Sequence, residues 1–177
     1  MAVLVYNFNM NGEQQLDILA IGDVVNDAFI KIKDASVHCK IDNTACELCM
    51  SFGDKVPYES VEEIFGVGNS ANAAVSASRL GLQSALLAAV GNDSNGKKCL
   101  ESLAKNGVET GYVAIEKEFD TNYHYVLWYD VDRTILVKHA EFTYKMPELA
   151  LSPKWIYLSS LGESAKDFHT DILDYLH

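Results

Sequence analysis

Glycine and asparagine crowd into one short run of this chain, Gly66-Val67-Gly68-Asn69-Ser70-Ala71-Asn72-Ala73-Ala74, followed by Gly81 and by Gly91-Asn92-Asp93-Ser94-Asn95-Gly96. The chemistry open to such a run is recognition of a small polar molecule. Glycines let a backbone approach a ligand closely. A helix opening behind them presents N–H groups with no intrahelical acceptor. Asparagine amides both donate and accept, as the hydroxyls of a polyol require. A second polar group, Asp23-Val24-Val25-Asn26-Asp27, follows the apolar run Leu16-Asp17-Ile18-Leu19-Ala20-Ile21-Gly22. Plainer roles stand beside these: Asp27 as a turn residue capping a loop, Asn72 as a helix-capping or buried structural amide.

The elements that must hold these residues alternate. Residues 16–22 suit a buried parallel strand, short, apolar and ended by glycine. Asp23 to Asp27 would then lie at its C-terminal end, the edge where open α/β sheets bind ligands. Residues 70–80 predict an Ala-rich helix closed by Gly81 at C′. Residues 84–90 read as a strand, 94–105 as a helix capped by Asp93 or Ser94, and 112–115 and 155–158 as further strands. Residues 121–129 and 134–138 flank Asp130-Val131-Asp132-Arg133 as a hairpin. Residues 164–176 place Ala165, Phe168, Ile172 and Leu176 on one helical face. Residues 28–52 differ from the rest: Phe29-Ile30-Lys31-Ile32-Lys33 and Cys46 to Phe52 alternate, as half-exposed strands do, and predict a small β-flap outside the main sheet. Residues 54–66 read as a charged connection, and residues 1–15 as a loose extension before a domain spanning 16–177. The expected class is α/β, a mostly parallel sheet flanked by helices.

The 177 residues are long enough to bury a full core as one domain, and 49% hydrophobic against 22% charged residues is ordinary for a soluble globular protein. The net charge of −11 argues against a nucleic-acid or anionic-membrane partner, which would need a basic face. No apolar run is long enough to cross a bilayer, and no signal-peptide pattern opens the chain. A cytoplasmic protein with its four cysteines reduced is the expectation. His38-Cys39 and Cys46-x-x-Cys49 raise a structural zinc reading, set against the strand pattern that would turn Cys46 and Cys49 to opposite faces. Gly66-x-Gly68-x-x-Ala71 also matches a dinucleotide fingerprint, but the acidic stretch Ser60 to Phe65 does not supply the buried strand that fingerprint needs. Tyr123, Tyr125, Trp128 and Tyr129 read as strand aromatics rather than a platform for stacking bases.

The glycine–asparagine run resembles the sugar-binding signature of the PfkB, or ribokinase-like, carbohydrate kinases. Asn72, Ala74, Gly81 and Gly91 fall at that signature's spacing, Gly91-x-Asp93-x-x-Gly96 looks like the family's second turn, and the resemblance runs from Leu16 to His177. It departs where the family has a Gly-Gly pair, since Val67 precedes Gly68, and where Ser70 replaces a Gly, Ala or Pro. The resemblance implies that Asp27, Gly68, Asn69 and Asn72 bind a sugar or nucleoside, and that residues 28–52 form a β-lid that closes over it and joins a homodimer. It implies ATP and Mg2+ as co-substrate and metal, with the catalytic base in a Gly-Ala-Gly-Asp motif of the C-terminal half. These 177 residues contain no such motif. The chain is therefore expected to be the N-terminal, sugar-binding part of the kinase, cut mid-fold and inactive alone. The alternative is a non-catalytic sugar- or nucleoside-binding module.

Overall fold

The computed structural model describes residues 16–40, 45–149 and 152–176. The extension expected over residues 1–15 lies outside these. In chain order the elements are β1 (Leu16–Ile21), β2 (Val25–Ile32), β3 (Ser36–His38), β4 (Glu47–Cys49), β5 (Tyr58–Val67), α1 (Asn69–Arg79), β6 (Ser84–Gly91), α2 (Ser94–Lys105), β7 (Val113–Glu116), β8 (Tyr123–Tyr129), β9 (Asp132–Leu136), β10 (Pro153–Leu158) and α3 (Phe168–Leu176). They divide into two compact units. One is built from the chain up to Asn26, Phe65–Asn122 and the segment from His139 onward; the other from Asp27–Ile64 and Tyr123–Lys138.

The first unit is an α/β layer. Its sheet runs β10-β1-β6-β7, and each of the three pairings is parallel. Parallel strands are covered on both faces, and β6 shows why this sequence suits that position. Ala85, Leu87 and Ala89 face a core shared with Phe142, Ile156, Phe168 and Ile172. Leu86, Ala88 and Val90 face the other way, into a core with Ala71, Ala74, Cys99 and Leu103. Alanines at the sheet-facing positions of α1 keep that helix close to the strands. α1 stops where expected: its C-cap is Leu80, and Gly81 follows at φ 89°. The C-terminal helix starts later than its apolar face suggests. A 3-10 turn covers Glu163–Ala165, and Ser164 donates its hydroxyl to Phe142 O (3.2 Å).

The second unit contains most of a sheet ordered β5-β2-β8-β9, together with the antiparallel β3–β4 pair. Two features depart from the sequence reading. The charged stretch 54–66 holds a ten-residue strand, β5, and not merely a connection. Two of its three acids find partners across the sheet: Glu59 pairs with Lys31 at 2.9 Å, and Glu63 accepts from the Tyr123 hydroxyl at 2.6 Å. The hairpin near residue 130 belongs to this sheet, and its turn is tighter than the four residues expected. Tyr129 pairs with Asp132 across Asp130-Val131, with Asp130 at φ 54°.

The cysteines also depart from expectation. Cys39 and Cys46 form a disulfide, while Cys49 and Cys99 are free. Cys49 lies three residues beyond Cys46, so the strand turns the two side chains to opposite faces. Among the described residues no helix is long and apolar enough to cross a membrane.

Candidate functional site

At the C-terminal edge of the first unit's sheet, β1 passes through Gly22 into Asp23, whose backbone N–H donates to Ser160 O at 3.1 Å just past β10. The Asp23 side chain is only 7% exposed. One carboxylate oxygen accepts the Tyr144 hydroxyl, and the other lies 3.3 Å from His139 Nδ1. Burial, reinforced by the hydrogen bond and negative charge of Asp23, pushes the Tyr144 phenol far up, so it stays a donor.

The same aspartate sets the neighbouring turn. Its carbonyl accepts the Ser70 hydroxyl at 3.0 Å. A Cβ on Gly68 would stand 2.8 Å from that carbonyl, and Gly68 has φ 112°. Only glycine fits a positive φ against a backbone oxygen at this range. Gly68 is the N-cap of α1 and offers no side-chain cap; its carbonyl closes the first turn by accepting from Asn72 N–H at 2.8 Å. Asn69 and Asn72 are exposed there, with Asn69 Nδ2 placed 3.5 Å from Ser160 Oγ. The turn therefore presents two amides and a helix N-terminus on the edge where the parallel strands end, an arrangement suited to hydroxyl-bearing ligands.

The second glycine turn is a clasp. Asp93 caps α2 by accepting from Gly96 N–H at 2.7 Å, and it also accepts the Thr121 N–H (3.0 Å) and hydroxyl (2.7 Å). Gly91 N–H donates to Thr121 Oγ1 at 3.0 Å. Burial works to raise the Asp93 carboxyl, but the hydrogen bonds from Gly96, Thr121 and Asn95 outweigh it and hold the group below its ordinary value. A Cβ on Gly96 would collide with Gly91 O. These groups are occupied with one another, and their work is to join β6, α2 and the chain before β8. Behind them Cys99 is buried, and burial pushes its thiol up to about 12.

Asp27 lies on β2 in the second unit, while Gly68, Asn69 and Asn72 belong to the first. Its carboxylate sits 3.4 Å from His124 Nδ1 on β8. Burial raises its pKa, opposed by the charge of His124 and the hydrogen bond to it. Gly68, Asn69 and Asn72 come together in one turn. Sequence reasoning placed Asp23 at this edge but gave it no role, and it missed His139, Tyr144 and Ser160. Ser160 follows a short strand and could have been found as a strand-end residue; His139 and Tyr144 lie in a stretch without periodicity. Among the described residues no three His, Cys, Asp or Glu side chains converge to hold a metal ion.

Comparison with known families matches residues 34–165 to the pfkB family carbohydrate kinase. The chain belongs to that family. The matched span takes in Gly68, Asn69 and Asn72 and begins after Asp27. Solved structures of pfkB-type, ribokinase-like folds agree. A ribokinase from Cryptococcus neoformans var. grubii serotype A, in complex with ADP, superposes with TM-score 0.61 at 22% identity, covering 92% of this chain and 44% of its own. A nucleoside kinase from Methanocaldococcus jannaschii gives 0.55 at 17% identity, covering 71% and 37%. A Halothermothrix orenii fructokinase gives 0.51 at 23%, covering 70% and 38%. At these identities the likeness is one of fold, and the chain spans less than half the length of each. No match is found among curated proteins.

Proposed function

We propose that this chain is the acceptor-binding part of a pfkB carbohydrate kinase that transfers a phosphoryl group to a hydroxyl of a sugar or nucleoside. The observation that carries the reading is the Gly68 turn: glycine packed on the Asp23 carbonyl, with Asn69 and Asn72 exposed at the start of α1, inside the span that matches the family. In this reading Asn69 and Asn72 hold hydroxyls by donating and accepting. Gly68 lets the acceptor approach the backbone, and Asp27 accepts from two hydroxyls through charge-assisted bonds. ATP and Mg2+ are the donor and metal the family implies. The resemblance puts their main site in the C-terminal half. The protein works in the cytoplasm as a homodimer joined through the second unit, with strands of residues 28–52 serving as the lid.

Calorimetric titration of the full-length protein with a panel of pentoses, hexoses and nucleosides tests this reading. One compound in the panel should bind, and Asn72→Ala should weaken it. Unchanged affinity in folded Asn72→Ala and Asp27→Ala proteins would show that the binding site lies elsewhere.

A further inference from the structure

We propose that Cys39 and Cys46 form a reversible thiol–disulfide switch, stapling the β3–β4 hairpin when oxidised and releasing it when reduced. The hairpin's register pairs Ser36 with Cys49, Val37 with Leu48 and His38 with Glu47. One further step along the ladder sets Cys39 opposite Cys46, with their Cα atoms 4.0 Å apart and their sulfurs bonded. The hairpin's described strands are short. It has three paired residues per strand, and only Leu48 and Cys49 are better than exposed. An isolated two-stranded pair of that length is marginal. Ala45, immediately before Cys46, sits at φ 49°, a conformation alanine rarely adopts. The crosslink closes the loop that contains it.

Three observations suit this pair to exchange. Cys39 and Cys46 are both exposed, within reach of a small thiol or disulfide. Cys49, the third cysteine in the segment, points to the opposite face of the ladder and cannot compete without unpairing it. Cys99 is buried with its thiol pushed up, so it supplies no thiolate near neutral pH. Oxidation balances against a low-molecular-weight disulfide such as glutathione disulfide. One cysteine thiolate attacks it, forming a mixed disulfide and releasing one glutathione. The second thiolate, held opposite by the ladder, attacks the protein sulfur and releases the other. Two protein thiols lose two electrons and two protons, and glutathione disulfide gains both. Reduction runs the same steps backward. What the switch controls is local. Val37, Cys46 and Leu48 wall one side of a cleft of about 140 Å³, and Leu127, Tyr129 and Arg133 wall the other. Releasing the hairpin opens that cleft.

The intact protein should be equilibrated in buffers of varied reduced-to-oxidised glutathione ratio, then alkylated under denaturing conditions and mapped by peptide mass. Cys39 and Cys46 should lose and regain reactivity together and reversibly, and Cys49→Ser should leave their titration unchanged. Hydrogen exchange at residues 36–39 and 45–49 should be at least about tenfold faster in the reduced protein. Cys39→Ser and Cys46→Ser should match that fast exchange in either buffer. The proposal is overturned by a Cys46–Cys49 or intermolecular bond in place of Cys39–Cys46, by a bond that persists in excess reduced glutathione, or by equal exchange in the two states. Stoichiometric Zn2+ capture by the reduced pair that blocks oxidation would also overturn it.

Discussion

At the scale of single residues, two aspartates do different work. Asp23 is nearly buried and spends its carboxylate on Tyr144 and His139 and its carbonyl on Ser70. Asp27 is less enclosed and faces His124. If Asp27 holds an acceptor hydroxyl, Asp27→Ala removes a charged acceptor. Hydrogen bonds to charged groups contribute about 1.5–3 kcal/mol, so sugar affinity should fall at least about tenfold, with little change in stability. The pH dependence has a definite sign. Burial raises the Asp27 pKa, so the group is protonated and a weaker acceptor at acid pH. Wild-type affinity should therefore climb as pH rises through the raised value, and the Asp27→Ala protein should lack that climb. Calorimetry at a series of pH values reads both effects, and a flat wild-type profile would count against ionised Asp27 as a ligand.

At the scale of elements, each helix of the first unit that follows a glycine turn is anchored differently. α1 depends on backbone fit at Gly68. Gly68→Ala places a Cβ against the Asp23 carbonyl at a positive φ, a conformation that costs about 1–3 kcal/mol for a non-glycine residue. Denaturant melts should show a loss of that order, with acceptor affinity falling alongside it because Asn69 and Asn72 move with the turn. α2 depends on Asp93. Its carboxylate has a lower pKa folded than unfolded, so its contribution is present above the ordinary carboxylate value and disappears as pH falls through the folded value. Asp93→Asn keeps the shape but loses the charge, and should cost about 1–2 kcal/mol at neutral pH. The gap between the two proteins should narrow as the pH is taken down through the acid range; a gap that is the same at acid and neutral pH would mean the charge contributes nothing.

At the scale of the whole molecule, two expectations concern what the chain does by itself. The Gly-Ala-Gly-Asp motif that supplies the family's base is not among the 177 residues. The chain alone should form no ADP from ATP with any sugar or nucleoside in a coupled assay, and sugar-dependent ADP formation by purified chain would refute the division of labour proposed for it. The second expectation is assembly. Ile32, in the alternating run read as a half-exposed strand, is buried, but Met50 and Phe52 are exposed. The β8–β9 hairpin adds Tyr125, Trp128, Ile135 and Leu136, all more than 40% exposed. Apolar exposure concentrated in one unit favours self-association. Sedimentation at micromolar concentration should show a dimer, shifted toward monomer by Trp128→Lys; a monomer across that range would remove the lid-mediated dimer.

The sequence by itself determined the parallel layer. Apolar runs too short for helices, each ended by Gly or a polar turn, specify buried strands whatever lies around them. The spacing from Gly68 to Asn72 to Gly81 specifies a helix start and stop through local backbone geometry alone. Local signals therefore sufficed for β1, α1, β6 and α2 and for the turn carrying Gly68, Asn69 and Asn72. Tertiary structure alone decided what depends on partners distant in sequence. β5 is a strand because its backbone pairs with β2, and Glu59 and Glu63 also find Lys31 and Tyr123, contacts that a charged stretch does not advertise. Asp23 became a hub because folding brought Tyr144 and His139 to it from a segment with no periodicity. Cys39 found Cys46 rather than a metal because register, set by pairing across the hairpin, places the two opposite each other and turns Cys49 away.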